Sequence, residues 1–324
     1  MLGDGYLVQG ILVDPHGLPY SFNSNEDPLT GAPTTSIQLN RYEPTPGRWQ
    51  FSLTEYFTTS GLQTETPFGA SLAFNAARVT ADGLPNSDRI ALSASGAPLA
   101  VPIVVTNNSR TTQIYFADAR RSTSGIMNLP LVSTCGNPPM VPFACFVSYL
   151  PTQSRFVSFG AQSTVPLGLT AWDFAGTLTP GTNAFASMIL GRPDRAGTTT
   201  ATLFASEIPY STWLMDPALI GPFGPGGPGT YPVSMSATAI ARDFDTAMIT
   251  DSGDVWMDLV ASTATFNPLI LAPGQSGVIH LYIQPDPAKI GRTVSGDVFI
   301  DTFNFVQFNG DELARIPYRY RVVQ

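Results

Sequence analysis

Few side chains in this sequence have the type and spacing that catalysis needs. There are two histidines, His16 in the turn-like segment Asp14-Pro15-His16-Gly17 and His280 in an alternating segment. A histidine can activate a serine hydroxyl when a carboxylate orients its ring. Neither histidine lies in a Gly-x-Ser-x-Gly or His-Glu-x-x-His motif. We therefore predict that both are structural, that no residue is catalytic and that the chain is not an enzyme.

Acidic turns are the places where a cation could bind. Asp251 and Asp254 flank Gly253 in one turn, and their oxygens could bind Ca²⁺, although the twelve-residue EF-hand spacing is absent. The segment Asn23-Ser24-Asn25-Glu26-Asp27 has a similar composition. The alternative is that these carboxylates cap their own turns. We expect no cofactor, and Asp251 and Asp254 are the candidate residues for a calcium ion.

Cys135 and Cys145 are the two cysteines, and the segment between them is rich in glycine and proline. A disulfide that closes such a loop would stabilise the fold by about 3 kcal/mol. The alternative is two unpaired buried thiols. A metal site would need further cysteine or histidine ligands, and none lies nearby. The candidate disulfide favours an oxidising, extracellular compartment.

Two further features concern sugars. Asn107-Asn108-Ser109 matches the short N-glycosylation pattern, which often occurs by chance. The 20 Phe, 11 Tyr and 4 Trp residues could form a carbohydrate-binding surface. Trp49 and Trp256, however, stand in alternating or apolar surroundings that favour core packing.

The composition limits the classes of partner. The 324 residues include 16 Lys+Arg and 24 Asp+Glu, which gives a net charge of −8. An acidic chain has no positive field to attract phosphates, so nucleic-acid binding is not expected. No run of about 18 apolar residues is present, so we expect no membrane span. The 43% hydrophobic content is enough to form a core.

The elements that would position these residues are β-strands. Gly277–Ile283 places Val278, His280 and Tyr282 on one face and three apolar residues on the other. Similar patterns occur at the segments 49–53, 100–106, 113–117 and 231–240. The polar turn 107–110 joins the segment 100–106 to the segment 113–117. The pattern predicts an all-β chain of tandem sandwiches.

Breaks in the pattern divide the chain into three predicted modules. The first covers residues 1–80, the second covers 81–229 with a discontinuous domain left open, and the third covers 230–324. Between residues 221 and 229 every residue but Phe223 is Gly or Pro, which predicts a linker or a long loop. The first residues, Met1-Leu2-Gly3-Asp4, do not resemble a signal peptide. We expect either a processed chain or a piece of a longer precursor.

Several segments resemble a known family when they are taken in order. They are Pro46–Phe51, Phe74-Asn75, Gly83–Pro85, Val101–Asn108, Ile220–Gly224, Asp251–Trp256, Phe266–Pro268, Leu271–Ser276, Val294–Asp301 and Gly310–Tyr318. Together they resemble the C-terminal non-catalytic region of secreted bacterial subtilisin-like serine peptidases (subtilases), particularly the actinobacterial type. No catalytic residue carries over, because His16-Gly17 is followed by Leu18 instead of Thr and the serine motif is absent.

The resemblance implies a jelly-roll-like first module followed by fibronectin-type-III-like or immunoglobulin-like sandwiches. It also implies secretion to the exterior or the cell surface, and an N-terminal peptidase domain as a partner. We therefore predict a non-catalytic extracellular array that acts in structural support, binding or surface attachment.

Two alternatives remain at this point. The first is a self-assembling filament or surface subunit, joined by strand addition or exchange at the terminal segments that carry Tyr6, Val8, Tyr318 and Tyr320. The second is a carbohydrate-binding module.

Overall fold

The protein is almost entirely β in the part of the chain that the computed structural model describes. That part comprises residues 7–17, 19–56, 68–72, 75–129, 131–133, 140–141, 146–149, 151, 154–164, 167–173, 187–190, 192–193, 199–205, 212–219, 231–253, 266–306 and 310–324. The chain divides into two compact units, the first built from residues 1–124 and 242–324 and the second from residues 125–241. The second unit is thus inserted in the sequence of the first.

Seven strands precede the inserted unit or lead into it. They are β1 (Leu7–Val13), β2 (Pro19–Ser24), β3 (Gln50–Tyr56), β4 (Ala77–Thr80), β5 (Asn86–Ser93), β6 (Leu99–Asn107) and β7 (Gln113–Asn128). The next strands are β8 (Leu131–Ser133), β9 (Met140–Val141), β10 (Phe146–Tyr149), β11 (Arg155–Ser163), β12 (Leu167–Asp173), β13 (Ser187–Leu190), β14 (Arg192–Pro193), β15 (Thr199–Ala205) and β16 (Thr212–Leu219).

Six strands follow. They are β17 (Tyr231–Phe244), β18 (Met248–Thr250), β19 (Leu269–Leu271), β20 (Ser276–Ile283), β21 (Thr293–Thr302) and β22 (Glu312–Val323). A single 3₁₀ turn, Pro287–Lys289, is the one helical element among the described residues. Asp286 caps this turn by accepting a hydrogen bond from the Ala288 N–H.

Three sheets make up the first unit. The N-terminal sheet has the order β2-β1-β3 and is antiparallel throughout. The four-stranded sheet has the order β18-β20-β6-β4. In the first unit the large sheet contains, in order, residues 242–244 of β17, then β7, β21, β22 and β5, and its last pair, β22 with β5, is parallel.

The core of the first unit lies between the four-stranded sheet and the large sheet. Period-two alternation directs Val101, Ile103 and Val105 of β6 inward, and Ile279 and Leu281 of β20 join them. From the large sheet the core receives Tyr115, Ala117, Val298, Ile300, Tyr318, Tyr320 and Val322. Two sheets that bury their facing side chains in this way form a β-sandwich.

The turn after β6 connects two layers. We expected the polar turn at 107–110 to join neighbouring segments, and it does link β6 to β7 along the chain. However, β6 pairs with β4 and β20, whereas β7 pairs with β19 and β21. The chain therefore crosses from the four-stranded sheet to the large sheet at this turn.

The second unit also contains two sheets. One has the order β13-β12-β16-β10-β8, and the other contains β14, β15, β11 and β17, with β9 paired to the start of β17. Val157, Phe159 and Ala161 alternate inward on β11 and are buried. Val233, Ala237 and Ala239 of β17 are buried as well.

The all-β sandwich prediction is confirmed. The compact units do not follow the predicted boundaries at 80 and 229, because strands from 77–124 pair with strands from 242–324 within one unit. The fibronectin-type-III-like, immunoglobulin-like and jelly-roll-like assignments stay predictions. Within the described residues, no helix has the length and apolar character needed to cross a membrane.

Candidate functional site

His280 forms a side-chain pair with Asp251. The ring Nδ1 lies 2.8 Å from Asp251 Oδ2, and the backbone N–H of His280 donates to Asp251 Oδ1 at 2.8 Å. A catalytic triad uses such a carboxylate to orient its histidine. Here both side chains are about half exposed on the outer side of a sheet, 48% and 44%. Among the described residues, no serine hydroxyl is hydrogen-bonded to this ring.

His16 lies in the turn that the sequence predicted. The backbone N–H of His16 donates to Asp14 Oδ1 at 2.8 Å, and the Gly17 N–H donates to the Asp14 carbonyl at 3.1 Å. The His16 side chain is exposed, whereas Asp14 is buried. Asp14 therefore caps this turn.

The acidic turns also cap backbone groups. Both carboxylate oxygens of Asp251 contact His280, and Asp254 lies outside the described residues, so the predicted calcium pair stays a prediction. Asp27 Oδ1 accepts hydrogen bonds from Leu29 N, Thr30 N and Thr30 Oγ1. Partial burial raises the pKa of Asp27, but these hydrogen bonds outweigh it and hold the pKa below 3.8. In the described ranges, no group of three or more His, Cys, Asp or Glu side chains is arranged to hold a metal ion.

Cys135, Cys145, Tyr6 and Trp256 lie outside the described residues, so the disulfide stays a prediction. Trp49, which we expected in a core, is only half-buried, and its Nε1 donates to the Thr45 carbonyl at 2.9 Å.

Asn107, the residue of the glycosylation pattern, is a buried structural amide. Its side chain is fully enclosed, and Nδ2 donates to the carbonyls of Thr111 at 2.8 Å and Leu271 at 2.9 Å. Its Oδ1 accepts from the Ser109 N–H at 2.9 Å. Since the Nδ2 atom of this amide is buried and occupied, a glycan cannot be attached there in the folded protein.

The strand-exchange candidates lie on inner strands. Val8 is buried on β1, which pairs with β2 on one side and β3 on the other. Tyr318 and Tyr320 are buried on β22, which lies between β21 and β5. Addition of a foreign strand at a free edge is therefore not available at these positions, because both sides of each strand are already paired. Exchange of a whole strand between copies stays a prediction.

A polar cleft of about 200 Å³ lies between the N-terminal segment, here residues 23–40, and residues 111–113, 302–304 and 310–311 at the end of the large sheet. It is lined by Asn23, Ser24, Glu26, Asp27, Pro28, Thr34, Ser36, Gln38, Asn40, Thr111, Thr112, Gln113, Thr302, Phe303, Asn304, Gly310 and Asp311. Hydrogen bonds cross it, since Asn40 N and Nδ2 donate to Asp311 Oδ2 and Asn304 Nδ2 donates to Asn23 Oδ1. Hydrogen bonds in the cleft therefore connect the N-terminal segment to the large sheet.

An ionic cluster that the sequence did not predict lies on the large sheet, on the face opposite the core. Three arginines surround the ring of Phe299: the guanidinium carbons of Arg120, Arg242 and Arg315 lie 4.8, 5.2 and 5.3 Å from its centroid. Each arginine also contacts a carboxylate. The three pairs are Arg120 with Asp118, Arg242 with Asp297, and Arg315 with Glu312.

The innermost pair of the cluster is enclosed. Arg120 Nε donates to Asp118 Oδ2 at 2.7 Å, and the two side chains are 0% and 1% exposed. Burial raises the pKa of Asp118 above 3.8, although the charge of Arg120 opposes this shift. One signal in the sequence could have revealed the pair: residues two apart on a strand share a face, so Asp118 and Arg120 must point the same way.

Arg315 links the cluster to the N-terminal segment. Its guanidinium lies 5.4 Å from the Tyr42 ring centroid and 4.0 Å from Glu43 Oε2. Glu43 has φ 47°, a left-handed conformation that costs a residue other than glycine some strain. The cluster therefore contacts both the strands of the large sheet and the segment that connects β2 to β3.

A second buried acid lies on the core side of the same sheet. Asp245 Oδ2 accepts a hydrogen bond from Tyr318 Oη at 2.6 Å, and Asp245 Oδ1 contacts Arg121 at 3.2 Å. Burial and the adjacent Asp245 carboxyl raise the pKa of Tyr318 far above 10. Burial also raises the pKa of Tyr115 and Tyr320, whose hydroxyls have no hydrogen-bond partner among the described residues.

Comparisons with known proteins find no match to the sequence and a distant structural similarity. No protein-family model and no curated protein matches the sequence. A solved structure of tripeptidyl peptidase 2 (TPP II), a subtilisin-like peptidase, matches with a TM-score of 0.25 and 9% sequence identity. The match covers 100% of this chain and 26% of that one, so this chain spans about a quarter of the length of that protein.

Proposed function

We propose that the chain is a non-catalytic extracellular β-sandwich module that gives structural support to a larger secreted or cell-surface protein. The accessory region of a subtilase is the context that the sequence resemblance implies. The observation that carries the proposal is the ionic cluster around Phe299. Its ionisable side chains contact one another and the N-terminal segment, and these contacts hold two layers of the first unit together.

The geometry of the ionic cluster around Phe299 favours a structural role for its charged side chains over a catalytic one. Arg120 and Asp118 are enclosed, and a buried ion pair that loses one partner costs about 3–5 kcal/mol. Arg242 and Arg315 are mostly buried as well, at 17% and 26% side-chain exposure. Such groups fix the arrangement of strands. The same reasoning applies to Asp245, which contacts Tyr318 and Arg121 inside the unit.

A direct test asks whether any serine in the purified chain is reactive. The chain is incubated with casein and, separately, with a fluorophosphonate probe, alongside an active subtilisin as the positive control. We expect no casein cleavage and no labelling after prolonged incubation. Covalent labelling of one serine, lost on heat denaturation, would overturn the proposal.

The polar cleft supports a second candidate function, binding of a small polyhydroxyl ligand. Its lining combines amides, hydroxyls and carboxylates and contains no Lys or Arg. A sugar hydroxyl both donates and accepts hydrogen bonds, and this mixture of groups can satisfy both roles. Thr112 and Ser36 line the cleft, and we propose their hydroxyls as the contacts to such a ligand.

Variants of these two hydroxyls separate binding from folding. Thr112→Val keeps the side-chain shape and removes one hydroxyl. If the cleft binds glucose or N-acetylglucosamine at millimolar concentration, NMR titration shifts the amide signals of residues 111–113, and Thr112→Val weakens binding by about fivefold. Thr106→Val, on another face, is the control. Unchanged spectra at 100 mM of either sugar would remove this candidate.

A further inference from the structure

The turn between β1 and β2 contains the peptide bond Asp14–Pro15. Acid breaks a bond of this kind more readily than other peptide bonds, because the aspartate carboxyl group can attack its own backbone carbonyl. The proline nitrogen then leaves as a secondary amine. The chain has three further Asp–Pro bonds, at 27–28, 216–217 and 286–287. Since the chemistry of the four bonds is the same, their surroundings in the folded protein decide which one reacts.

Two hydrogen bonds hold the reacting groups of the Asp14–Pro15 bond. Asp14 Oδ1 accepts from the His16 N–H at 2.8 Å, and this hydrogen bond closes a ring of atoms that contains the Asp14–Pro15 peptide bond. The Asp14 carbonyl oxygen accepts from the Gly17 N–H at 3.1 Å. A donor at this oxygen stabilises the negative charge that develops there when the carbonyl carbon is attacked.

Packing keeps the carboxyl group and the proline ring in place. Asp14 is buried, at 4% exposure, whereas Pro15 is half-buried and Gly17 is exposed. Gly47 packs on Pro15 so closely that a Cβ at position 47 would lie 2.6 Å from the proline ring. The carboxyl group is therefore already removed from most of the solvent and oriented, which lowers the barrier to its attack. Water still has access to the exposed side of the turn.

The other Asp–Pro bonds lack this combination. Asp286 has the same two hydrogen bonds, since Oδ1 accepts from the Ala288 N–H at 2.8 Å and the carbonyl accepts from the Lys289 N–H at 2.9 Å, but Asp286 is only half-buried. Hydrogen bonds to Asp27 outweigh the effect of burial and hold its pKa below 3.8, so it lacks the proton that the leaving nitrogen needs. Asp216 lies within β16 and not in a turn.

We propose that the Asp14–Pro15 bond is a self-cleavage site of the folded protein. A carboxyl oxygen of Asp14 attacks the Asp14 carbonyl carbon, so that a C–O bond forms and the C–N bond to Pro15 breaks. The proton of the carboxyl group passes to the Pro15 nitrogen. Water then opens the cyclic anhydride, which leaves Asp14 as a C-terminal residue with two carboxyl groups and Pro15 as a new N-terminus.

Few charged groups surround this turn. His16 belongs to the turn itself, and Arg48 follows the glycine that packs on Pro15. No charged residue occurs in β1, in β2 or in the segment 37–39, which packs on β1 at Gly10. Glu55 of β3 lies opposite Val8, towards the other end of β1. The acid dependence of cleavage should therefore follow the Asp14 carboxyl group, modified by His16 and Arg48.

Cleavage at this bond would not release the first strand. β1 pairs with β2 on one side and β3 on the other, and its Val8 and Ile11 side chains are buried. The residues before the cut therefore stay attached through the sheet. The reaction happens once in each molecule and gives no turnover. The inference is thus independent of the proposed supporting function, which a chain that stays intact can still perform.

Mass spectrometry of the full chain after incubation in mild acid tests the proposal. The chain is kept at about pH 4, near the ordinary pKa of an aspartate side chain, and circular dichroism confirms that it stays folded. Denaturing conditions should separate a fragment that ends at Asp14 from one that begins at Pro15, whereas size-exclusion chromatography at the same pH should keep both in one peak. Cleavage at 14–15 should be at least about tenfold faster than at 286–287, the matched bond with the less buried carboxyl group.

Two controls assign the reaction to the folded turn. In concentrated guanidinium chloride the turn is lost, and the bonds at 14–15 and 286–287 should be cleaved at similar rates. Asp14→Asn keeps an acceptor for the His16 N–H but removes the acidic proton, so it should abolish cleavage at 14–15 and leave 286–287 unchanged. A folded chain that is cut at 14–15 no faster than at 286–287 would overturn the proposal. So would a rate difference that persists in guanidinium chloride, because the local sequence would then explain it.

Discussion

Two neighbouring tyrosines show how much a single hydroxyl partner matters in this protein. Tyr318 and Tyr320 lie on the same face of β22, both are buried, and their rings are stacked with centroids 6.3 Å apart. Tyr318 donates to Asp245, whereas the Tyr320 hydroxyl has no hydrogen-bond partner within the described part of the chain. Their phenylalanine variants therefore separate packing from hydrogen bonding.

Tyr318→Phe should lower the free energy of unfolding by about 2–3 kcal/mol, because a hydrogen bond to a carboxylate is lost and a buried acceptor remains. Tyr320→Phe should change it by less than about 0.5 kcal/mol or raise it, because a buried hydroxyl without a partner is removed. Urea denaturation at neutral pH measures both. Equal losses in the two variants would contradict the assigned hydrogen bond.

Asn107 supports the turn that crosses between the two layers, since its amide binds two carbonyls and one N–H. Asn107→Ala should lower the free energy of unfolding by about 2–3 kcal/mol, because it leaves buried backbone groups without partners. Asn108→Ala, at an exposed amide one residue further, should cost less than about 1 kcal/mol. In a eukaryotic secretory host, mass spectrometry should find Asn107 without a glycan. A glycan there would contradict the buried placement.

At the scale of elements, β21 is the strand on which the large sheet depends. It pairs with β7 on one side and β22 on the other, and it contributes to both faces: Val298 and Ile300 to the core, and Phe299 to the ionic cluster. Close approach of neighbours requires glycine at position 296. A Cβ there would overlap the Arg120 carbonyl oxygen and the Tyr318 hydroxyl.

Gly296→Ala should therefore cost about 3 kcal/mol or more, because the backbone neighbour cannot move without breaking the pairing of β21 with β7. Gly96→Ala is the control, since its Cβ would meet only Ser93 at 3.4 Å or more, and we expect less than about 1 kcal/mol. Thermal denaturation followed by circular dichroism compares them. A stable Gly296→Ala variant would show that the strands can separate at this point.

At the scale of the whole molecule, the buried tyrosines make stability depend on alkaline pH. The pKa values of Tyr115, Tyr318 and Tyr320 are all raised above 10 by burial, most strongly for Tyr318. Above pH 10 these tyrosines ionise in the unfolded chain and keep their protons in the folded one. The folded state then binds more protons, so stability falls as pH rises.

Above pH 10 the folded state should come to bind about three protons more than the unfolded state. The free energy of unfolding should then fall by about 4 kcal/mol per pH unit. Denaturation at several pH values, with tyrosinate absorbance to follow ionisation, measures it. Tyr320→Phe should reduce the slope by about one third. A slope unchanged in that variant would contradict the buried placement of Tyr320.

Alternation in the sequence was enough to predict the fold class and the strands at β3, β6, β20 and β17. It could not reveal which strands pair, because period two assigns side chains to faces but contains no information about neighbours. The division at residues 80 and 229 relied on local breaks, whereas the first unit is held together by pairing between distant segments such as β6 and β20.

Individual site residues were harder to predict than the fold. A structural role for His280 was predicted from its position in a strand and stays a prediction, whereas its pairing with Asp251, 29 residues away, is a tertiary contact that the local sequence does not indicate. The arginines around Phe299 come from three separate strands, and nothing in the local sequence of any one strand indicates that they meet. Asn107 matched a modification pattern, and only its burial shows that the amide serves the turn instead.

The position of β22 between β21 and β5 has a consequence for synthesis. On the ribosome, β5 emerges more than two hundred residues before the strand that it pairs with, and β21 precedes that strand as well. The first unit must therefore wait, with its apolar strands exposed, until the segment 312–323 is available. Nascent chains that stop at residue 311 should remain sensitive to protease within residues 77–124.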